Sequence, residues 1–176
     1  AYSPAMRSFI AGVLARAGEI CAFTNPVPGS YARFGSFEAP RYVAWSHQNR
    51  SQLIRIPAAP APEYARIEVR MPDVSCNPYL AFALLLAAGF EGMERKMELA
   101  EETPYDLYTA NAGALEALPA SLEEAIARAG GSAFVEKVLS ADTARKYLAL
   151  KQAEQNRWFA ARDKEKYQDE AYFGVL

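Results

Sequence analysis

The sequence predicts an α+β fold, a partial antiparallel sheet flanked by helices and followed by a helical carboxy-terminal region. Three observations carry this expectation. Strand-like runs are confined to residues 42–71, an amphipathic helical pattern precedes them, and helical patterns fill most of the chain beyond them. With 176 residues, 51% of them hydrophobic and 23% charged, the chain holds enough apolar material for the core of one ordinary domain.

Ser3-Pro4 is a good helix start, and Met6, Phe9, Ile10, Val13, Leu14 and Ala17 then recur at three and four residues, which predicts an amphipathic helix ending at Gly18. Residues 25–36 are dense in turn formers and lack a period, so they predict an exposed loop. Short β-rich runs at 42–45, 53–56 and 65–70 predict three strands. Asn77, a cap followed by Pro78 in the first turn, opens a helix to Phe90 that is apolar nearly all round and is expected to be central and buried.

A looser segment containing Pro104, Asn111 and Gly113 leads to Ser121, whose partner Glu124 three residues on predicts a capping box for a short helix ending at Gly130-Gly131. Two further helices are expected. The second runs from about 142 to 167, with Tyr147, Leu148, Trp158 and Phe159 as its apolar contacts.

The formal charge of −2 gives no basic field to draw the chain onto nucleic acid or anionic lipid. Charge types are nevertheless divided. Residues 1–95 hold nine Arg, no Lys and seven acids, while residues 96–176 hold six Lys, four Arg and fourteen acids. Arginine presents a planar fork that grips carboxylate or phosphate at two points, whereas lysine is a flexible point charge, so the first half reads as the recognition half. Cys21 and Cys76 lack CxxC spacing and are expected to be buried free thiols. The apolar run 79–88 falls short of the roughly 20 residues of a membrane span and the start is not leader-like, so a cytoplasmic location without membrane partners is expected.

In the run 65–71, alternation places Arg66, Glu68 and Arg70 on one face and Ile67 and Val69 on the other. Arg33, Arg50 and Arg55 lie on neighbouring segments. Two readings fit this ionic face. It is either a solvated ion-pair ladder, or a site where guanidinium forks hold carboxylate and phosphoryl oxygens while Glu68 holds a divalent metal. Glu38, Glu63 and Glu68, interleaved with the arginines, disfavour nucleic acid. His47 is placed in a turn between two strands and read as structural, with Tyr42 and Trp45 as core.

The order Tyr31-Ala32-Arg33, Phe37-Glu38-Ala39-Pro40, Asn49-Arg50-Ser51, Ile54-Arg55-Ile56-Pro57, Arg66-Ile67-Glu68-Val69-Arg70, Pro72-Asp73 and Asn77-Pro78-Tyr79-Leu80 resembles the glutamine synthetases of bacteria. The resemblance is strong over residues 1–100 and general over 101–176. It implies that residues 1–176 are the carboxy-terminal part of that family's catalytic domain, with a short flap, and that the glycine-rich nucleotide segment, the Glu-x-Glu metal strand and the amino-terminal β domain lie outside this chain, leaving a half-built site.

The activity implied is ligation of ammonia to glutamate through a γ-glutamyl phosphate made from ATP, with Mg2+ or Mn2+, in ring-shaped homo-oligomers. Arg33 and Arg70 would hold glutamate. Glu38, on a flap, would help bind and deprotonate ammonium. Arg50 would contact the transferring phosphoryl group, Arg55 and Arg66 the nucleotide side, and Glu68 a metal. Tyr108 stands where some bacterial relatives carry a modified tyrosine, although Thr109-Ala110-Asn111 departs from the usual neighbours. Glu63 replaces a basic residue common near the nucleotide. A related γ-glutamyl ligase using an organic amine, or a non-catalytic anion-binding or regulatory module, are the alternatives.

Overall fold

The computed structural model describes residues 2–36 and 38–173, so Phe37 of the flap motif lies outside the described residues. Helix α1 (Pro4–Thr24) opens on Ser3, whose hydroxyl accepts from N of Met6 at 3.2 Å. It runs past Gly18, where the sequence predicts its end. Ile20, Cys21, Ala22 and Phe23 are all fully buried, and that packing outweighs the roughly 1 kcal/mol a glycine costs inside a helix.

The residues after α1 are not the exposed loop expected. They form a 3₁₀ turn, Pro28–Arg33, and Asn25, Ser30, Tyr31 and Phe34 are buried. Asn25 explains part of this, since its Nδ2 donates to the carbonyl of Met71 at 2.9 Å and so draws the segment inward.

The sheet has the order β1 (Trp45–His47), β2 (Ile54–Ile56), β3 (Glu68–Val69). β2 and β3 are antiparallel as expected, with Ile54 opposite Val69 and Arg55 opposite Glu68. β1 and β2 run parallel, Trp45 facing Ile54 and His47 facing Ile56, so the sheet is mixed. Strands this short make that possible: the link 48–53 must return only ~7 Å, and six residues reach up to ~20 Å. His47 is therefore the last residue of β1 rather than part of a turn. Residues 65–67 lie outside β3, and Tyr42 leaves the sheet to bridge Ala117.

Helix α2 (Pro78–Glu94) is capped by Asn77, whose side chain accepts from N of Tyr79 and N of Leu80. It crosses α1 at very close range. A Cβ at Gly12 would stand 2.2 Å from the Ala88 carbonyl oxygen, and one at Gly92 would stand 2.1 Å from that of Ser8. Arg16 ties the crossing together, with Nε and Nη2 each donating to a Glu91 carboxylate oxygen at 2.8 Å. α2 is only half as buried as its composition predicts. Ala81, Leu84 and Ala88 are covered, whereas Tyr79, Phe82, Leu86 and Phe90 are exposed, because α1 covers one face alone.

Helix α3 (Leu122–Gly130) has Ser121 as its cap, while the Glu124 carboxylate reaches back to N of Ala120 at 2.8 Å. α4 (Ala133–Leu139), α5 (Ala141–Ala160) and α6 (Lys164–Tyr172) follow. The single helix expected over 142–167 is thus broken. Asp163 caps α6 by accepting from N of Lys166, and Lys164 Nζ donates to the carbonyls of Phe159 and Ala161, both at 2.8 Å, closing the end of α5. Tyr147 stacks on Phe23 at 4.5 Å and fastens α5 to α1, while Phe159 is exposed rather than a core contact. Cys21 is buried and Cys76 half-buried, both free. Among the described residues no helix is long and apolar enough to cross a membrane.

Candidate functional site

The register of β2 against β3 sets Arg55 opposite Glu68, and Arg55 Nη2 meets a Glu68 carboxylate oxygen at 2.5 Å. Arg70, two residues on, donates Nη1 to the other oxygen of the same carboxylate. Arg70 then reaches across to Glu38, where its Nη2 donates to the backbone carbonyl at 2.7 Å and lies 3.6 Å from the carboxylate. Arg50 Nη1 closes the chain of contacts on Glu38 Oε1 at 2.6 Å. Three of the predicted arginines and both predicted glutamates are therefore brought together.

Three guanidinium groups against two carboxylates leave the cluster with one net positive charge. The hydrogen bond from Arg55 holds the Glu68 carboxyl below the usual carboxylate range, with Arg70 adding to it. Glu38 is lowered mainly by its bond from Arg50. The environments differ. Arg70 keeps 12% of its side chain in water and Arg55 19%, whereas Arg50 keeps 59% and Glu38 56%. Burial thus fixes the β2–β3 end of the cluster and leaves the Arg50–Glu38 end free to exchange partners. Glu38 also takes a left-handed backbone, φ 61°, which a β-carbon makes unfavourable.

Arg33 and Arg66 stand apart from this cluster. Arg33, at the end of the 3₁₀ turn, donates Nη2 to the Met71 carbonyl and places Nε 3.3 Å from Asp73. Arg66 is exposed outside β3, and its Nη1 donates to the Tyr64 carbonyl at 3.2 Å. Tyr108 comes in from the loop after α2. Its hydroxyl donates to the Arg50 carbonyl at 3.2 Å.

Two residues around the site have no role in the sequence reading. Gln52 is fully buried and its amide donates to the carbonyls of Thr103 and Tyr105. Glu102 accepts from N of His47 at 2.7 Å and pairs with His47 Nδ1 at 2.8 Å, so His47 anchors a loop instead of filling a core. A polar amide directly ahead of the apolar pair Leu53-Ile54 is the signal that could have exposed Gln52.

A divalent cation of the magnesium type wants about six oxygen ligands. Among the described residues no group of three His, Cys, Asp or Glu is placed to hold a metal, and both Glu68 oxygens already face guanidinium groups. The described residues do not build a metal site by themselves.

Comparison with known proteins adds a second line of observation. The family described as the glutamine synthetase catalytic domain matches residues 1–169. The glutamine synthetase of Methanosarcina mazei is 43% identical over 158 residues, covering 86% of this chain and 35% of that protein. That of Azotobacter vinelandii is 42% identical over 154 residues, covering 84% and 33%. In three dimensions, GmaS in complex with ADP superposes with a TM-score of 0.80 at 25% identity, over 98% of this chain and 40% of that one. The chain thus spans about a third of the length of the curated relatives it matches.

Proposed function

The chain belongs to the glutamine synthetase catalytic-domain family, and from that membership we propose that it carries the glutamate and phosphoryl side of an ATP-dependent ligase. The reaction joins an amine to the γ-carboxyl of glutamate through a γ-glutamyl phosphate. The observation that carries the reading is the run of contacts Arg55–Glu68–Arg70–Glu38–Arg50, in which a buried end is rigid and an exposed end is held by exchangeable ion pairs.

The chemistry follows from that asymmetry. An acyl phosphate concentrates negative charge, and preorganised guanidinium forks stabilise it at little reorganisation cost. When a phosphoryl group meets Arg50, it displaces Glu38 from that guanidinium. The released carboxylate then accepts a proton from the incoming ammonium-type nucleophile, whose nitrogen attacks the acyl carbon and expels phosphate. Arg70, fixed between Glu68 and Glu38, orients glutamate together with Arg33. Arg55 and Arg66 serve the nucleotide side. Glu68 is the carboxylate this chain would lend to a metal otherwise held by segments outside it, and Mg2+ or Mn2+ would there neutralise phosphate charge. Tyr108 is the candidate for modification, and the full-length protein is expected to self-associate into rings.

The amine is either ammonia or an organic amine. Likeness in sequence to glutamine synthetases supports ammonia; Glu63, where a basic residue is common, is a departure from that pattern that keeps an organic amine as the second reading. A chimera decides. Residues 1–176 joined behind the preceding segment of the M. mazei relative would be assayed for glutamate-dependent ADP release with ammonium and with a primary alkylamine. Release with either supports the ligase reading and names the nucleophile class. A soluble, folded chimera that releases no ADP with any amine, while the chain still binds phosphate, overturns it in favour of a non-catalytic anion-binding module.

A further inference from the structure

The loop that presents Arg50 is held by a short segment arriving from far along the chain. Thr103, Pro104, Tyr105, Leu107 and Tyr108 each bond to a residue of 49–52. Asn49 Nδ2 donates to the Tyr105 carbonyl at 2.9 Å, N of Leu107 donates to Ser51 Oγ at 2.9 Å, and the Tyr108 hydroxyl donates to the Arg50 carbonyl at 3.2 Å. Gln52 sits at the base of this strap, fully buried, with Nε2 bonded to the Thr103 carbonyl at 2.9 Å and the Tyr105 carbonyl at 3.1 Å. Its Oε1 is buried without a partner. Such an atom carries a desolvation cost, so the amide's two donated bonds must be compensating for it.

We propose that Gln52 is the positioning residue for Arg50, clamping segment 103–108 so that Tyr108 and Arg70 together fix the Arg50 backbone while its guanidinium stays free to exchange Glu38 for a phosphoryl group. The role deepens, and rests on, the reading of Arg50 as the phosphoryl contact. Geometry supports the division between base and tip. The Arg50 carbonyl accepts two bonds, from Arg70 Nε at 3.0 Å and from Tyr108, while 59% of the Arg50 side chain is in water. A guanidinium on an anchored backbone loses less freedom on meeting its anion than one on a mobile loop. Gln52 touches neither Arg50's guanidinium nor any anion it would hold; it acts through the strap.

The test uses this chain with ¹⁵N-labelled arginine side chains and two readouts, exchange of the Arg70 Nε proton and the shift of the Arg50 guanidinium on titration with inorganic phosphate. Gln52→Met keeps the bulk and removes both donors. It is expected to speed Arg70 Nε exchange about tenfold and to weaken the Arg50 response by a similar factor, while amides of Ile54 and Val69 keep their protection. Tyr108→Phe should reproduce part of both effects. Ser121→Ala, a distant cap, controls for general loss of stability and should move neither. Unchanged Arg70 Nε exchange in Gln52→Met overturns the proposal, as does equal loosening by Ser121→Ala. If the unsubstituted chain shows no Arg50 response to phosphate, the phosphoryl reading fails, while the exchange readout still decides whether Gln52 positions Arg50.

Discussion

The carbonyl oxygen of Arg50 accepts from Nε of Arg70 at 3.0 Å, and the carbonyl of Leu53 accepts from the backbone N of Arg70 at 2.9 Å, so Arg70 ties both ends of the loop 48–53 to the end of β3. Arg70 also meets Glu38 and Glu68, so it is the only side chain in the cluster touching both carboxylates. Arg70→Ala is expected to abolish the phosphate response of Arg50 as well as its own. Arg70→Lys should not restore it, because an ammonium cannot fork between two carboxylates and a carbonyl. Arginine side-chain NMR during a phosphate titration checks this; an Arg50 response that survives in Arg70→Ala refutes the coupling.

Glu68 and Glu38 compete with any anion for the same arginines. Both carboxyls are held below the usual carboxylate range, Glu68 chiefly by Arg55 and Glu38 chiefly by Arg50. A depressed carboxyl keeps its ion pairs above its ordinary value and loses them as pH falls through the lowered one. Anion binding should therefore tighten in acid, below the ordinary carboxylate range, and stay flat from there to neutrality. Glu68→Gln should bring about a threefold to tenfold tightening at neutral pH by freeing Arg55 and Arg70. Sulfate, which keeps its charge in acid, is the suitable probe, and calorimetry across pH the measurement. A Glu68→Gln chain that binds sulfate no better than the parent would show that the carboxylate does not compete.

What was legible in the sequence was what local chemistry determines. Caps at Ser3, Asn77 and Ser121 were readable because a short polar side chain ahead of a periodic run has one good use. The cluster was readable in part, since alternation through Glu68 and Arg70 predicts their shared face, although Arg66 lies before the strand begins. Long-range closure was not readable. The strap of residues 103–108 onto Gln52, and the parallel pairing of β1 with β2, depend on partners about 50 residues away or on strand lengths that periodicity cannot fix. The break before α6 rests on Asp163, a short polar side chain that caps the new helix and that the expectation of one helix over 142–167 leaves without a role.

The crossing of α1 and α2 tolerates no side chain at Gly12 or Gly92. A Cβ at either position meets backbone oxygen near 2 Å, at 2.2 Å from Ala88 and 2.1 Å from Ser8, and backbone cannot swing away as a side chain would. Gly12→Ala and Gly92→Ala should each destabilise the fold by about 2–3 kcal/mol, despite alanine's better helix propensity. Urea unfolding followed by circular dichroism measures this. Net stabilisation by either substitution would mean that the helices can separate at no cost.

The same crossing should be acid-sensitive through Glu91, whose main partner is Arg16. Arg16 donates twice to Glu91 and Arg95 once, at 3.1 Å, and these contacts, that of Arg16 foremost, hold the Glu91 carboxyl at about 2, well below its ordinary 4.5, while raising Arg16. Because the folded value is the lower one, the pair contributes its full stabilisation above about 4.5 and loses it as pH falls toward about 2. About a quarter of each side chain remains in water, 24% for both, so solvent screening reduces the contribution to about 1–2 kcal/mol. Glu91→Gln should therefore lower stability by that amount at pH 7, and the gap between variant and parent should close across the window from 4.5 down to about 2. Urea midpoints at pH 7, 4 and 2.5 would trace it. A gap independent of pH would assign the loss to packing at the crossing rather than to the charge on Glu91.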